Sequence, residues 1–189
     1  MKRLALITVI LAVVAAIPSS KLIAEDTMPQ AGQTAPAFTL PSQEGTPISL
    51  ASYRGKWVVL YFYPKDMTPG CTIEAHNFQN AQNDFAAKNA VILGVSVDST
   101  DSHKQFCAKD GLTFHLLSDT SHSVVSAYGS LGSFSGITIA NRNTFLINPE
   151  GKIAQVWTKV NPATAASDVL AAIPGGSIPA PTGLTANPQ

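Results

Sequence analysis

Two runs of consecutive apolar residues, each bounded by turn-forming residues, dominate the hydrophobic pattern of this sequence. The first run is Trp57–Tyr63, which ends at Pro64, and the second is Ala90–Val97. Strands that are buried on both faces show continuous rather than alternating hydrophobicity. We therefore predict that these two runs form central strands of a sheet that is covered on both sides.

The segment between the two runs has the spacing of a helix. No proline or glycine interrupts it from Cys71 to Asn89, and Phe78, Ala81 and Phe85 recur near helical spacing. This pattern predicts one helix over 71–89, with Cys71 in its first turn. Further helices are predicted over 102–109, 121–128 and 163–173.

Shorter elements complete the predicted order. Residues 143–148 and 153–157 form a predicted hairpin around the turn Pro149-Glu150-Gly151-Lys152. Short apolar segments are found at 36–40, 48–50 and 114–117, of which 48–50 fits either a strand or a helical turn. Buried strands that alternate with helices, followed by a hairpin and a last helix, predict an α/β sandwich with a central mixed β-sheet flanked by helices. The order fits a thioredoxin-like sheet.

The N-terminal residues have the pattern of a targeting segment. Lys2 and Arg3 precede an uncharged, mostly apolar run from Leu4 to Ser20, which is the order found in secretory signals. We expect export to the periplasm or an equivalent compartment, with an uncleaved membrane anchor held by Lys21 as the alternative. The predicted organisation is a signal peptide or anchor over 1–24, a folded domain over 25–174 that begins with a linker at 25–35, and a disordered Pro/Gly-rich tail over 175–189.

The composition argues against several classes of binding partner. The chain is 45% hydrophobic and 13% charged, and its 12 basic and 12 acidic side chains cancel. Because no long-range field results, nucleic acid and anionic membranes are not expected as partners. The four histidines, at 76, 103, 115 and 122, have no tight metal-ligand spacing, so we predict no metal site.

The two cysteines, Cys71 and Cys107, are the candidate reactive groups. In an exported chain a structural disulfide between them is the ordinary expectation. Cys71, however, opens a predicted helix directly after a buried strand and a loop. Unpaired N–H groups and the partial positive charge of a helix start favour a thiolate, which is the nucleophilic form of cysteine.

Three other residues can serve a thiolate at this position. The hydroxyl of Thr68 can form a hydrogen bond at the sulfur or at a bound oxygen, and Pro64 can shield the sulfur from bulk water. Arg142, just before the strand at 143–148, offers a permanently charged guanidinium that can stabilise a leaving oxygen.

These residues resemble a known family. Pro64, Thr68 and Cys71 stand in the Pro-x-x-x-Thr-x-x-Cys pattern of the peroxiredoxins, and the wider context is similar to the peroxiredoxin Q branch, also called bacterioferritin comigratory protein. The resemblance runs from about 30 to about 173 and includes the segments Phe62-Tyr63-Pro64-Lys65-Asp66, Gly70-Cys71-Thr72-Ile73-Glu74-Ala75, His103-Lys104-Gln105-Phe106 and Arg142-Asn143-Thr144-Phe145-Leu146-Ile147.

The resemblance implies a thioredoxin fold and a thiol peroxidase that reduces hydrogen peroxide and organic hydroperoxides. It implies that Cys71 is the peroxidatic cysteine, which is oxidised to a sulfenic acid. It also implies that Thr68 and Arg142 complete the pocket, that Pro64 covers it, and that no metal, haem or flavin takes part. The expected reductant is thioredoxin or a thioredoxin-like protein, and the expected state is a monomer.

The resolving step is where this sequence departs from the family pattern. Many relatives carry a resolving cysteine five residues after the peroxidatic one, but His76 stands there in this chain. Since some members place the resolving cysteine on the next helix, we expect a Cys71–Cys107 disulfide during turnover. Alternatives are a one-cysteine peroxidase resolved by an external thiol, an exported thioredoxin-like disulfide exchanger, and a non-catalytic binding module.

Overall fold

The computed structural model describes residues 28–175. Along the chain, the strands and helices of this range are β1 (Thr39–Pro41), β2 (Pro47–Ser49), a 3-10 helix (Leu50–Tyr53), β3 (Trp57–Phe62), α1 (Pro69–Asn80), α2 (Gln82–Ala87), β4 (Ala90–Ser96), α3 (Thr100–Asp110), β5 (His115–Ser118), α4 (Ser123–Ala127), β6 (Leu131–Phe134), β7 (Ile137–Ala140), β8 (Asn143–Ile147), β9 (Ile153–Thr158) and α5 (Ala165–Ala172).

A five-stranded mixed sheet with the order β5-β4-β3-β8-β9 forms the centre of the molecule. The strands β3, β4 and β5 are parallel, whereas β8 runs antiparallel to both β3 and β9. The last residue of β3, Phe62, pairs with the first residue of β8, Asn143. This register brings the loop after β3 and the residue before β8 to the same edge of the sheet, although they are distant in sequence.

The two faces of β3 contribute to two separate apolar cores. Val59, Tyr61 and Tyr63 belong to the core shared with α1, α2, α3 and α5. The alternate residues Val58, Leu60 and Phe62 belong to the core shared with α4 and β1. Burial on both faces explains the continuous apolar run of this strand, and the predicted sandwich of a mixed sheet flanked by helices is confirmed.

Some predicted boundaries were wrong. The single helix predicted over 71–89 is two helices, because Ala81 adopts φ −89° and ψ 3° and interrupts the helical path between α1 and α2. Phe78 and Phe85, one on each helix, are still both fully buried, with ring centroids 6.0 Å apart. The short strand predicted at 36–40 is shifted to Thr39–Pro41, and the segment 48–50 is partly strand and partly 3-10 helix.

Two further segments differ from the prediction. The segment 25–35 was predicted to be a linker, but its described part packs on the edge of the sheet. There the backbone N–H groups of Gly32 and Ala35 donate hydrogen bonds to the carbonyls of Ile153 and Gly151. The hairpin of β6 and β7 was not predicted, because Phe134 and Ile137 in it are exposed and lack the pattern of a buried strand. The predicted leader at 1–24 and tail at 175–189 lie outside the described residues, apart from Gly175.

Among residues 28–175, no helix combines the length and the apolar character needed to cross a membrane.

Candidate active site

Cys71 lies in the first turn of α1, at the carboxyl edge of the parallel strands. Thr68 is the N-cap in extended conformation, Pro69 occupies the first helical position, and Cys71 is the third residue of the helix. A proline at this position loses no hydrogen bond and favours the helical backbone, which explains why the helix begins here. The Cys71 side chain is a free thiol with only 2% of its surface exposed.

Arg142 is the charged group at the sulfur. Its Nη2 donates a hydrogen bond to Cys71 Sγ at 3.3 Å. The pairing of Phe62 with Asn143 accounts for this contact, since it sets Arg142 beside the end of β3. Burial opposes the charge of the guanidinium, but the negative charges of Glu74 and Cys71 outweigh it, so that the pKa of Arg142 is raised further. Arg142 therefore keeps a full positive charge at the sulfur.

Glu74 is the second partner of Arg142. Its Oε2 accepts a hydrogen bond from Nη1, so the guanidinium is shared between a carboxylate and the sulfur. The side chain is completely buried, and its Oε1 has no hydrogen-bond partner within the described residues. Burial raises the pKa of Glu74 to about 7, although the charge and hydrogen bond of Arg142 act in the opposite direction.

The two remaining pocket residues from the sequence lie close to Cys71 along the chain but make no hydrogen bond to it. The hydroxyl of Thr68 donates to the carbonyl of Lys65 at 3.0 Å. Its oxygen is thereby left as an acceptor, so the proton is directed away from the sulfur. Pro64 is half-buried in the loop between β3 and α1.

Cys107 lies on α3 and is also a free thiol. It belongs to the same apolar core as Cys71, so both sulfurs are on one side of the sheet. Burial, and then the nearby carboxylates of Asp66 and Glu44, raise the pKa of Cys107 to about 11. Cys107 is therefore a protonated thiol at neutral pH in this folded form.

An aromatic side chain links the surroundings of the two cysteines. The pKa of Tyr61 is raised well above its usual value by burial and then by the charges of Glu74, Cys71 and Cys107. Its ring stacks on those of Phe78 and Tyr63. Tyr61 thus interacts electrostatically with both sulfurs. The two cysteines are not joined by a disulfide.

His76, which stands where many relatives have a resolving cysteine, contacts α3 rather than the sulfur. Its Nε2 lies 3.1 Å from Oδ1 of Asp110. Asp98, which follows β4, accepts hydrogen bonds from the Ser96 hydroxyl and the Asp66 backbone.

Asp66 stands in a segment that resembles the family but was not predicted to be a site residue, and it is buried beside His103. No periodic signal marks such a residue, because it sits in a loop. Among residues 28–175, no group of three or more His, Cys, Asp or Glu side chains could hold a metal ion.

Comparison with known proteins identifies the fold and the chemistry. The model of the AhpC/TSA family matches residues 31–156. Peroxiredoxin Bcp from Bacillus subtilis is 44% identical over 136 residues, which cover 68% of this chain and 85% of the relative. Peroxiredoxin Bcp from Xanthomonas campestris is 42% identical over 145 residues, which cover 74% of this chain and 91% of the relative.

Solved structures agree with these relatives. Peroxiredoxin Q from Xanthomonas campestris superposes with a TM-score of 0.70 at 41% identity, over 76% of this chain and 96% of that one. Peroxidoxin BcpB from Mycobacterium tuberculosis gives a TM-score of 0.72 at 32% identity, over 77% of this chain and 96% of that one. With a cysteine at a helix start, an arginine on its sulfur and relatives of this kind, the chain belongs to the AhpC/TSA family and is a thiol peroxidase of the peroxiredoxin Q/Bcp branch.

Proposed function

We propose that the protein reduces hydrogen peroxide and organic hydroperoxides at Cys71, through a sulfenic acid that Cys107 resolves. The observation that carries the proposal is the contact of Arg142 Nη2 with Cys71 Sγ at 3.3 Å, at the start of a helix. This arrangement gives one sulfur both a stabilising positive charge and the partial charge of the helix end.

The first step is an attack by the Cys71 thiolate on one oxygen of the peroxide. The S–O bond forms as the O–O bond breaks, and the leaving oxygen departs with the electron pair and takes up a proton as water or alcohol. Arg142 can stabilise the charge that develops on this oxygen, which is the interaction that lowers the barrier. The hydroxyl oxygen of Thr68 contributes as a hydrogen-bond acceptor, because its own proton is donated to the carbonyl of Lys65.

The second step is the attack of Cys107 on the sulfenic acid of Cys71. The S–S bond forms, the S–OH bond breaks, and the thiol proton leaves with the hydroxyl as water. The position of both cysteines in one core supports this route. So do two solved variants of the Xanthomonas campestris peroxiredoxin Q, whose cysteine-to-serine changes have the same separation in sequence as Cys71 and Cys107.

The final step returns both cysteines to thiols. A dithiol donor of the thioredoxin type supplies two electrons and two protons and leaves as a disulfide. We further propose that the enzyme acts outside the cytoplasm, on the basis of the charged and apolar pattern of residues 1–20. An enzyme in this location requires a thioredoxin-type dithiol donor in the same compartment. That it acts as a monomer is proposed from its resemblance to the peroxiredoxin Q branch. Fractionation of cells that express the full chain, compared with a variant lacking residues 2–20, tests the location.

Mass spectrometry after one equivalent of peroxide tests the resolving step. Wild type should lose two mass units as the disulfide forms, whereas Cys107→Ser should keep a sulfenic acid that a dimedone probe captures. Cys71→Ser should do neither. A stable sulfenic acid in wild type would contradict the role of Cys107 and indicate a one-cysteine enzyme that depends on an external thiol.

A second assay separates the peroxidase from a disulfide exchanger. An exchanger normally has a second cysteine three residues after the first, and Glu74 occupies that position in this chain. The peroxidase consumes peroxide with a dithiol donor and leaves insulin disulfides intact. Reduction of insulin without consumption of peroxide would overturn the proposed activity, and the absence of both reactions would point to a binding module.

A further inference from the structure

A buried cluster of polar side chains joins the loop before Cys71 to the helix that carries Cys107. The carboxylate of Asp66 accepts hydrogen bonds from the hydroxyls of Tyr63 and Ser102, each at 2.7 Å. It also lies 2.8 Å from Nδ1 of His103. We call these four residues the Asp66 cluster. Two of them, Tyr63 and Asp66, belong to the loop side, and Ser102 and His103 belong to α3.

Three residues of the cluster are buried, and the fourth, Ser102, is half-buried. Asp66 is 4% exposed and His103 is fully buried. Burial opposes the charge on Asp66, but the hydrogen bond and electrostatic attraction of His103, with the Tyr63 and Ser102 hydroxyls, outweigh it, and the pKa of Asp66 is lowered. A buried pair of this kind is strongly coupled, because loss of one partner leaves the other unsatisfied.

The backbone of the loop is held at the same point. The Asp66 N–H donates to Oδ2 of Asp98, just after β4, at 2.9 Å. The next residue, Met67, has a positive φ of 58°, a conformation that is uncommon for a side chain of this type. Such a conformation persists only where surrounding contacts hold it. The contacts of Asp66 therefore hold the loop in the shape that leads into α1 and Cys71.

The cluster also fixes the face of α3 on which Cys107 lies. His103 and Cys107 are four residues apart, which is one helical turn, and both are buried. The Nε2 of His103 has no hydrogen-bond partner in the described part of the chain, so this ring is held through Nδ1, which contacts Asp66 at 2.8 Å and the Tyr63 hydroxyl at 3.3 Å. In this structure the cluster is intact, and Cys71 and Cys107 are two free thiols on separate helices.

We propose that the Asp66 cluster controls the resolving step: it holds the Cys71 loop and α3 together while Cys71 reacts with peroxide, and it opens before the Cys71–Cys107 disulfide forms. Asp66 and His103 are positioning residues in this role, because they act through the two elements rather than on the reacting atoms. The proposal rests on the proposed role of Cys107 as the resolving cysteine.

Three variants and one control test the cluster. His103→Leu removes the partner of Asp66 at similar volume, His103→Asn keeps a side-chain donor, and Ser102→Ala removes one hydroxyl and is the milder change. Tyr128→Phe is the matched control, since it removes a hydrogen bond from a buried tyrosine to Pro36 in the other core. Two quantities are measured in each: the rate of disulfide formation after a peroxide pulse, and the hydrogen exchange of residues 63–71 and 99–107 in the reduced protein.

The expected result is a selective acceleration. In His103→Leu, disulfide formation should be about tenfold faster and both segments should exchange about tenfold faster, because the folded state no longer holds them together. Ser102→Ala should show the same changes to a smaller degree, His103→Asn should stay within about twofold of wild type, and Tyr128→Phe should not accelerate the disulfide.

Two outcomes would overturn the proposal, and they differ from the failure of the proposed function. Unchanged exchange at both segments in His103→Leu and Ser102→Ala would contradict the cluster as a link. Faster exchange with unchanged or slower disulfide formation would show that resolution does not require opening. If no variant and no wild-type sample forms the disulfide, the role of Cys107 is wrong, and with it the control of that step by the cluster.

Discussion

The guanidinium of Arg142 lies 3.3 Å from the sulfur of Cys71 and at the same time binds the buried carboxylate of Glu74. One cation thus serves two acceptors. The planar guanidinium can do this because its nitrogens point in fixed, divergent directions. Glu74 orients the guanidinium, and the second nitrogen is left for the sulfur and for the leaving oxygen of the peroxide.

Replacement of Arg142 by lysine should therefore slow the reaction with peroxide. A lysine keeps the charge but is a single compact donor, so it cannot satisfy Glu74 and stabilise the leaving oxygen together. We expect the second-order rate constant for oxidation of Cys71 to fall by about one to two orders of magnitude. Stopped-flow measurement of sulfenic acid formation checks this. Arg54→Lys is the control, because Arg54 contacts the Glu150 carbonyl and should leave the rate unchanged.

Glu74 should make the stability of the protein depend on pH. Its pKa is raised to about 7 in the folded state from an ordinary value of 4.5, so the folded protein holds a proton that the unfolded chain releases in this range. Stability contributed by this proton is present below pH 4.5 and is lost as pH rises toward 7, with a total change of up to about 3 kcal/mol.

Urea unfolding between pH 4.5 and 7.5 measures this effect. Glu74→Gln, which cannot titrate, should show a weaker fall in the free energy of unfolding over the interval than wild type. Parallel curves for the two proteins would show that Glu74 does not keep its proton in the folded state.

Formation of the disulfide should be accompanied by local loss of helical structure. A disulfide needs Cα atoms within about 7 Å, whereas the two thiols are free and lie on separate helices near Tyr61. We expect residues 71–80, residues 103–110 or both to exchange amide hydrogens faster in the oxidised protein than in the reduced one. Equal protection of both segments in the two forms would show that the sulfurs meet without unwinding.

Removal of the hydroxyl of Tyr61 should stabilise the reduced protein. The hydroxyl is buried and lacks a hydrogen-bond partner within the described residues, and it lies above Gly94, where any Cβ would come within 2.7 Å of it. An unsatisfied buried polar group costs about 1–3 kcal/mol, so Tyr61→Phe should raise the free energy of unfolding by about 1 kcal/mol or more. Tyr128→Phe, whose hydroxyl is paired, should lower it in the same assay.

The order of the central elements could be predicted from the sequence because burial on both faces leaves a continuous apolar run. The positions of Thr68 and Cys71 relative to one another follow from their closeness in sequence. The contact of Cys71 with Arg142 depends on the pairing of β3 with β8, which no local pattern encodes. The sequence alone offered Arg142 as a candidate at the start of a strand, and the resemblance to a family placed it in the same pocket as Cys71.

The rest of the site had no sequence signature. Asp66 and His103 form a buried pair between a loop and a helix, and such a pair leaves no periodic pattern along the chain. The break at Ala81 involves no proline or glycine. The hairpin of β6 and β7 could not be predicted either, since its large apolar residues Leu131, Phe134 and Ile137 are exposed and leave no pattern of a buried strand.

A cysteine in place of His76 would move the resolving step from α3 to α1. His76 lies five residues after Cys71 on α1, its side chain is 46% exposed, and its Nε2 lies 3.1 Å from Oδ1 of Asp110. A cysteine at this position is about 7.5 Å further along the helix axis, so it cannot reach Cys71 unless α1 unwinds. In the family that this chain resembles, many members resolve the sulfenic acid from this position.

We therefore expect His76→Cys to restore resolution in a Cys107→Ser background. After one equivalent of peroxide the double variant should lose two mass units, whereas Cys107→Ser alone should keep its sulfenic acid. His76→Ser in the same background controls for loss of the contact with Asp110. A persistent sulfenic acid in the double variant would mean that α1 stays folded during turnover, and would leave α3 as the element that must open.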